Sequence, residues 1–234
     1  FYGGVFVVSA VIAAGGKGRR MGAGINKVFM SLCGREIIAH TLGIFQNCRV
    51  IDEIIVVTGA EDIDRCLDIV ERDGLTKVKS VIEGGKERQD SVYLGICEAS
   101  GDIVAVHDAA RCLITSDEIE RVVADAKEYG ASAMGVTVKD TLKSIDENLM
   151  ITGTVDRDYT VQIQTPQVFD RKVLKELHER ISKDGIMVTD DCAVFEKYGR
   201  SVRVTIGSYE NIKITTPADI TAAEQIIKMR MGEI

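Results

Sequence analysis

Short runs of β-branched and small apolar residues alternate with helical patterns through the first half of the chain. No other feature constrains the fold as much. Val8 to Ala13 reads as a buried strand, Glu53 to Val57 as a second, Val78 to Ile82 as a third and Ile103 to Val106 as a fourth. Between them the stretches 36–48, 61–72 and 88–99 read as helices, with Ile63, Leu67 and Val70 on one face at helical spacing. Strand and helix in alternation imply a mostly parallel central sheet with helices on both faces. Right-handed crossovers then gather the strand C-termini along one edge, where such sheets bind ligands. The expected class is α/β, in one domain spanning 1–234.

The rhythm changes after residue 131. Ser132 to Val138 is strand-like, and Lys139 to Ile145 and Met150 to Val155 flank the turn-rich Asp146-Glu147-Asn148, which predicts a hairpin. Its strands carry charge and little apolar bulk, so this arm, at about 139–160, cannot hold a core alone and should pack on something else. Helices near 170–183 and 190–198, a strand at 202–206 and a final helix from 217 to about 230 complete the pattern. Pro166 and Pro217 each follow a threonine and are read as turn markers.

The net charge of −7 argues against a nucleic-acid binder, which needs a basic face, yet permits a local cationic cluster. No run of 18 apolar residues is present, so no membrane partner is expected. The apolar start, Phe1 to Val8, has no basic leader region and runs straight into a strand, which argues against a signal peptide. The six cysteines form no CxxC pair and suit neither zinc nor a disulfide framework; reduced thiols and a cytoplasmic setting are expected.

Three segments carry the chemistry. The first, Ala13-Ala14-Gly15-Gly16-Lys17-Gly18-Arg19-Arg20-Met21, follows the first strand and leads to Lys27. Glycines let backbone N–H groups approach phosphates closely, and Lys17, Arg19, Arg20 and Lys27 supply the charge a triphosphate needs. It is neither a P-loop nor a dinucleotide fingerprint, because GxxxxGK[ST] is absent and Met21 stands where a third glycine would be required. The second, Val106-His107-Asp108-Ala109-Ala110-Arg111, puts a carboxylate at a strand end beside two small residues. Mg²⁺ favours carboxylate and phosphate oxygens, so Asp108 is the natural ligand for a metal–nucleotide complex. A capping role for Asp108 is less apt, since Ser116 or Asp117 fits the cap of the next helix better. His107 is read as structural. In the third, Glu83 to Val92, a Gly-rich loop opens a helix, and its backbone with Ser91 could read a base edge. Thr154-Val155-Asp156-Arg157, Thr165-Pro166-Gln167 and Glu210-Asn211-Ile212-Lys213 say little singly.

Together and in this order these segments resemble the 2-C-methyl-D-erythritol 4-phosphate cytidylyltransferases of isoprenoid biosynthesis, from about Val8 to about Ile227. The resemblance implies a Rossmann-like nucleotidyltransferase fold with a protruding β-arm, a homodimer, CTP and a small polyol phosphate as substrates, and Mg²⁺ or another divalent cation. It further implies that Arg20 and Lys27 hold the triphosphate with the backbone of Ala14, Gly15, Gly16 and Gly18. Asp108 lies by metal and acceptor, and Gly85 and Ser91 recognise cytosine and ribose. Arg111, Thr141, Arg157, Thr165 and Lys213 hold the acceptor, the arm residues reaching in from the partner subunit.

Cys112 replaces a proline common in the family, Gly15 an alanine, and Glu210 an aspartate. The last change keeps a carboxylate but not the usual one, and leaves a metal role at that position undecided. A phosphate monoester is mostly dianionic at neutral pH and needs no base to activate it. Direct in-line attack on the α-phosphorus of CTP is therefore expected, with no covalent intermediate. A cytidylyltransferase for another polyol phosphate, such as ribitol 5-phosphate, is the nearest alternative. A non-catalytic nucleotide-sensing dimer is a more distant one, disfavoured by the retention of Arg20, Lys27 and Asp108.

Overall fold

The computed structural model describes residues 6–16 and 26–233. Its first half follows the predicted rhythm: β1 (Val8–Ala13), β2 (Ser31–Leu32), β3 (Arg35–Glu36), α1 (Ile37–Asn47), β4 (Glu53–Thr58), α2 (Ile63–Arg72), β5 (Val78–Glu83), α3 (Arg88–Glu98) and β6 (Ile103–Asp108). Then come α4 (Ser116–Tyr129), β7 (Ala131–Thr137), β8 (Lys143–Ile145), β9 (Ile151–Thr154), β10 (Val161–Asp170), α5 (Arg171–Lys183), α6 (Asp191–Lys197), β11 (Arg203–Ile206) and α7 (Pro217–Met231).

Seven strands form one sheet in the order β11-β7-β10-β6-β1-β4-β5. All neighbours pair parallel except β10, which runs antiparallel to β6 and β7. Alternate residues of each central strand serve opposite faces. Ala10 and Ile12 of β1, with Ile54 and Val56 of β4, join Leu42, Phe45, Ile69 and Val122 from α1, α2 and α4. Val11, Ile55 and Val57 point the other way, to Val92, Ile96, Leu177 and Phe195 from α3, α5 and α6. Each such fully buried aliphatic side chain contributes about 1.5–3 kcal/mol of transfer free energy. Strands covered on both faces bury side chains in both directions, which is why β1, β4 and β6 carry the apolar runs Ala10–Ala13, Ile54–Val57 and Ile103–Val106.

Three details depart from the sequence reading. Pro166 marks no turn: it lies inside β10, after a cis Thr165-Pro166 bond, where the register shifts between Ile163 and Gln167. A bulge is where a strand accommodates a residue lacking an N–H donor. Pro217, by contrast, starts α7, where no N–H is needed. Neither Ser116 nor Asp117 caps α4; Thr115 does, in a reciprocal box with Glu118. The hairpin strands are also shorter than predicted, since 139–142 lie outside β8. The arm exposes Leu149, Ile151 and Tyr159 at 76, 67 and 91%. A third, small core joins Leu32, Ile37, Leu113, Ile214 and Ala223. Cys112 is buried in it, and burial pushes its thiol up to about 12. The turn before it is closed by Arg111 N–H donating to Asp108 C=O at 2.9 Å, so the cysteine packs as a hydrophobe where a proline is usual.

Candidate active site

The chain runs from β1 out to β4 and β5, then crosses to β6 on the other side of β1. The sheet therefore reverses its winding between β1 and β6, and ligands bind at such a point, beyond the strand C-termini. Ala13 pairs with Asp108 there, and the backbone holds the junction tightly. Ala109 N–H donates to Ala13 C=O at 3.0 Å, and Ala14 N–H to Val57 C=O at 2.8 Å. Ala14 is buried while Gly15 and Gly16 emerge into solvent. Gly18 and Arg20 lie outside the described residues. On the far side of the loop, Asn26 Nδ2 donates to Ala14 C=O at 2.8 Å and to Asp62 Oδ2 at 2.9 Å. Lys27 follows in a short 3-10 turn whose Val28 and Phe29 are buried. Both ends of the loop are thus anchored beside Asp108's strand.

Asp108 is 8% exposed and is surrounded by cations. Lys213 Nζ lies 2.6 Å from Oδ2, Arg88 Nε 3.5 Å from Oδ1 and Arg111 Nε 4.0 Å from Oδ2. Burial alone would raise this carboxyl; the charges of Lys213 and Arg88, the bond from Lys213 and the charge of Arg111 hold it down to about 2. The group is a fixed anion at any working pH. Lys213 is the cation most open to solvent, at 39% side-chain exposure, and Arg111 the least, at 13%. Burial lowers the guanidinium of Arg111 despite Asp108 nearby. Its Nε is buried without a hydrogen-bond partner, while Nη1 donates to Asn211 C=O at 2.8 Å. A cavity of about 240 Å³ opens beside it, walled by Arg111, Gln162, Gln164, Tyr209, Asn211 and Lys213. A second hollow, about 370 Å³, lies over α1 by Arg35, His40 and Ser116; it touches none of these residues.

The floor of the site is built from β10. Thr165 is buried; its hydroxyl accepts from Asp108 N–H at 3.0 Å and pairs with His107 Nδ1 at 3.0 Å. His107 Nε2 lies 3.1 Å from Arg111 C=O, a group that only accepts, so Nε2 carries the proton and Nδ1 takes the one from Thr165. Burial lowers this imidazole to about 4, consistent with a neutral structural ring. Thr165, expected at the acceptor, thus directs its hydroxyl beneath Asp108. Asn211 Nδ2 donates to Gln164 Oε1 and to Thr165 C=O, pinning the loop that carries Lys213 onto the bulge.

In the third loop Gly85 N–H donates to Ser91 Oγ at 3.1 Å, and Ser91 Oγ donates to Glu87 C=O at 3.1 Å. A Cβ on Gly84 would lie 2.6 Å from Ser91 Oγ, and one on Gly85 would overlap Asp90 Cβ. The loop packs too closely on the start of α3 for any larger residue. Gly85 faces solvent, with its N–H committed to Ser91. Thr141 and Arg157 are exposed on the arm segment, and the structure does not bring either into the Asp108 cluster within this chain. Glu210 turns away: its carboxylate accepts from Arg230 Nε and Nη2 at 3.1 and 2.8 Å.

Arg88 and Asp191 are functional candidates that motif reading passed over. Arg88 Nη1 donates to Asp191 Oδ2 at 3.0 Å, across 103 residues of sequence. The one sequence signal was a cation inside a Gly-rich, helix-opening loop. Among the described residues no group of three or more metal-ligating side chains occurs. One carboxylate at the sheet edge fits a metal carried on nucleotide phosphates, which supply the remaining oxygens; it does not make a resident metal site.

Residues 8–229 match the family model described as 2-C-methyl-D-erythritol 4-phosphate cytidylyltransferase. Enzymes of that name from Clostridium botulinum (strain Langeland) and Alkaliphilus oremlandii are 44 and 43% identical, covering 94 and 95% of this chain and 97 and 95% of their own. The crystal structure of 4-diphosphocytidyl-2C-methyl-D-erythritol synthase from Anaerococcus prevotii superposes with a TM-score of 0.86 at 31% identity, covering 96% of this chain and 97% of that one. That of the 2-C-methyl-D-erythritol 4-phosphate cytidylyltransferase from Thermus thermophilus superposes at 0.76 with 29% identity, covering 93 and 98%. A seven-stranded sheet with its winding reversed at Ala13 and Asp108, the motif set along it and these likenesses agree: the chain belongs to the 2-C-methyl-D-erythritol 4-phosphate cytidylyltransferase family.

Proposed function

We propose that the protein transfers the cytidylyl group of CTP to 2-C-methyl-D-erythritol 4-phosphate, giving 4-diphosphocytidyl-2-C-methyl-D-erythritol and pyrophosphate. The observation that carries this is Asp108, a buried anion at the sheet edge holding Lys213, Arg88 and Arg111 around one point. The reaction brings two polyanions together, and a preorganised group of cations opposes their repulsion without reorganising during the step. The loop from Ala14 to Lys27 takes the triphosphate, with Gly15, Gly16, Gly18 and Arg20. Gly85 and the turn held by Ser91 take the base. Lys213 and Arg111 take the acceptor phosphate in the cavity between them. Thr165 supports this arrangement from below by fixing the backbone of Asp108.

The acceptor phosphate is its own nucleophile, and no serine, cysteine or histidine is needed as a base. Direct displacement at the α-phosphorus follows, the phosphate oxygen bonding to phosphorus as the bond to pyrophosphate breaks. Mg²⁺ arriving with CTP would be held by Asp108 and would neutralise charge on the phosphates. The decisive assay is pyrophosphate release with CTP, Mg²⁺ and either 2-C-methyl-D-erythritol 4-phosphate or ribitol 5-phosphate. Turnover with the first and at most a few per cent with the second is expected; the reverse preference would overturn the acceptor assignment.

A homodimer completes the site. The exposed apolar residues of the arm, Leu149, Ile151 and Tyr159, suit burial against a second copy, which would bring Thr141 and Arg157 to the partner's acceptor cavity. Arg157→Ala and Lys27→Ala, each inactive alone, should regain activity when mixed under subunit exchange. The expected ceiling is about a quarter of the parent rate, from random pairing with one sound site per heterodimer. No recovery despite exchange would place Arg157 in its own subunit's site. A cytoplasmic setting fits a nucleoside triphosphate donor and six free thiols. No helix among the described residues is long and apolar enough to cross a membrane.

A further inference from the structure

A line of charge leads away from the site into the layer formed by α5 and α6. Arg88 is shared between two carboxylates, Nε facing Asp108 and Nη1 donating to Asp191. The other oxygen of Asp191, Oδ1, lies 3.2 Å from His178 Nε2. Both of these side chains are only 1% exposed, and the layer around them is built from Leu174, Leu177, Ile181 and Phe195. The start of α6 is tied to the sheet by one residue of β10. Gln167 Oε1 accepts from the N–H groups of Asp191 and Cys192 at 3.0 and 3.1 Å, and its Nε2 donates to Asp190 Oδ2 at 2.9 Å. Burial raises the Asp191 carboxyl, but the charge of Arg88 and the hydrogen bond with His178 outweigh it and keep the group ionised. A buried ion pair of this kind adds little stability that packed apolar residues would not supply. Its consequence is geometric: a guanidinium is planar, and gripping one of its nitrogens from outside the site sets the plane of the whole group.

We propose that Asp191, braced by His178 and Gln167, is a positioning residue for the transfer: it holds Arg88 off a two-pronged grip on Asp108 and so leaves Asp108 to Lys213 and the substrates. Arg–carboxylate pairs favour the bidentate fork. Freed from Asp191, Arg88 would turn onto Asp108 and compete with Lys213 for it. The inference rests on the reading of Asp108 as the reaction centre.

The test is a double-mutant cycle on kcat. Asp191→Asn keeps shape and backbone contacts but removes the charge. It is expected to lower kcat about tenfold, the low end of what loss of an orienting partner costs. The KM for CTP should change less than kcat, because the defect lies in the arrangement around the reacting phosphates. In an Arg88→Gln background the same substitution should cost little more, since the group it acts through is gone. A merely structural role would give losses that multiply, and that result, or full turnover in Asp191→Asn, overturns the inference. If Asp191→Asn fails to fold, as judged by circular dichroism, His178→Asn carries the test, since it removes the brace and leaves both charges. The same non-additivity with Arg88→Gln is then expected, and multiplying losses or full turnover again overturn it. Asp108→Asn assayed alongside separates the two readings: full turnover there strikes the site assignment itself, whereas a slow Asp108→Asn with a fast Asp191→Asn strikes only the present inference.

Discussion

Asp108→Asn is expected to fold and to lose about 10²-fold or more in kcat, on the scale of removing one preorganised electrostatic group. The fold should survive because each cation around Asp108 has another place to go. Arg88 keeps Asp191, Arg111 keeps Asn211 C=O, and Lys213 is open to solvent. Turnover should not survive, because an amide cannot hold three cations around a point or share a metal with phosphates. Stability at neutral pH should fall modestly. The Asp108 carboxyl is depressed from an ordinary 3.8 to about 2, so its ionised form favours the folded chain. That contribution is whole above about pH 4 and drains away as pH falls through about 2. The shift corresponds to on the order of 2 kcal/mol, at 1.36 kcal/mol per unit. Urea denaturation at pH 7 together with steady-state kinetics tests both parts. A variant with near-parental kcat and an unchanged metal requirement would remove Asp108 from the chemistry.

What the sequence made legible follows from what each strand must satisfy. β1, β4 and β6 are buried on both faces, so their apolar runs stand out at once. β10 is just as central, between β6 and β7, yet its core reads Gln-Ile-Gln-Thr-Pro-Gln and gave no strand signal. Gln164, Thr165 and Gln167 are buried there because each holds a part of the site in place. Gln164 holds Asn211 and Ser208, Thr165 holds Asp108 and His107, and Gln167 holds the start of α6. Hydrophobic periodicity fails where a strand serves the site, and functional segments are where such patterns break down. The positions of Asp108 and Lys27 were legible from the strand end and the glycines beside them, whereas Lys213 was singled out only by the family resemblance. The sharing of Arg88 with Asp191 was not. Those residues meet only after α3 and α6 pack on the same face of the sheet, and no local pattern encodes a contact across 103 positions.

Lys27→Ala is expected to lower kcat by about 10²–10³-fold while the KM for CTP changes far less. The argument starts from anchorage. Asn26 ties the residue before Lys27 to Ala14 C=O, and Val28 and Phe29 after it are in the core. The backbone of Lys27 is therefore fixed at the end of β1, within the region where the triphosphate must lie if Asp108 marks the reaction centre. A cation fixed there meets more negative charge in the transition state than in the ground state, as the bond between the α-phosphorus and pyrophosphate lengthens. Charge-assisted contacts strengthen with that growth, so their loss appears in the chemical step rather than in binding. Arg20, in the same loop, should behave alike. Arg20→Lys should also be slow, because an ammonium cannot reproduce a guanidinium's fork of donors. Circular dichroism and assembly mass should match the parent for both variants, since the three apolar clusters that hold the fold are built without a charged side chain. The measurement is steady-state kinetics at saturating acceptor and Mg²⁺. An unchanged kcat with a raised KM for CTP would mean that these cations bind the ground state and the transition state equally, and their catalytic role would fall.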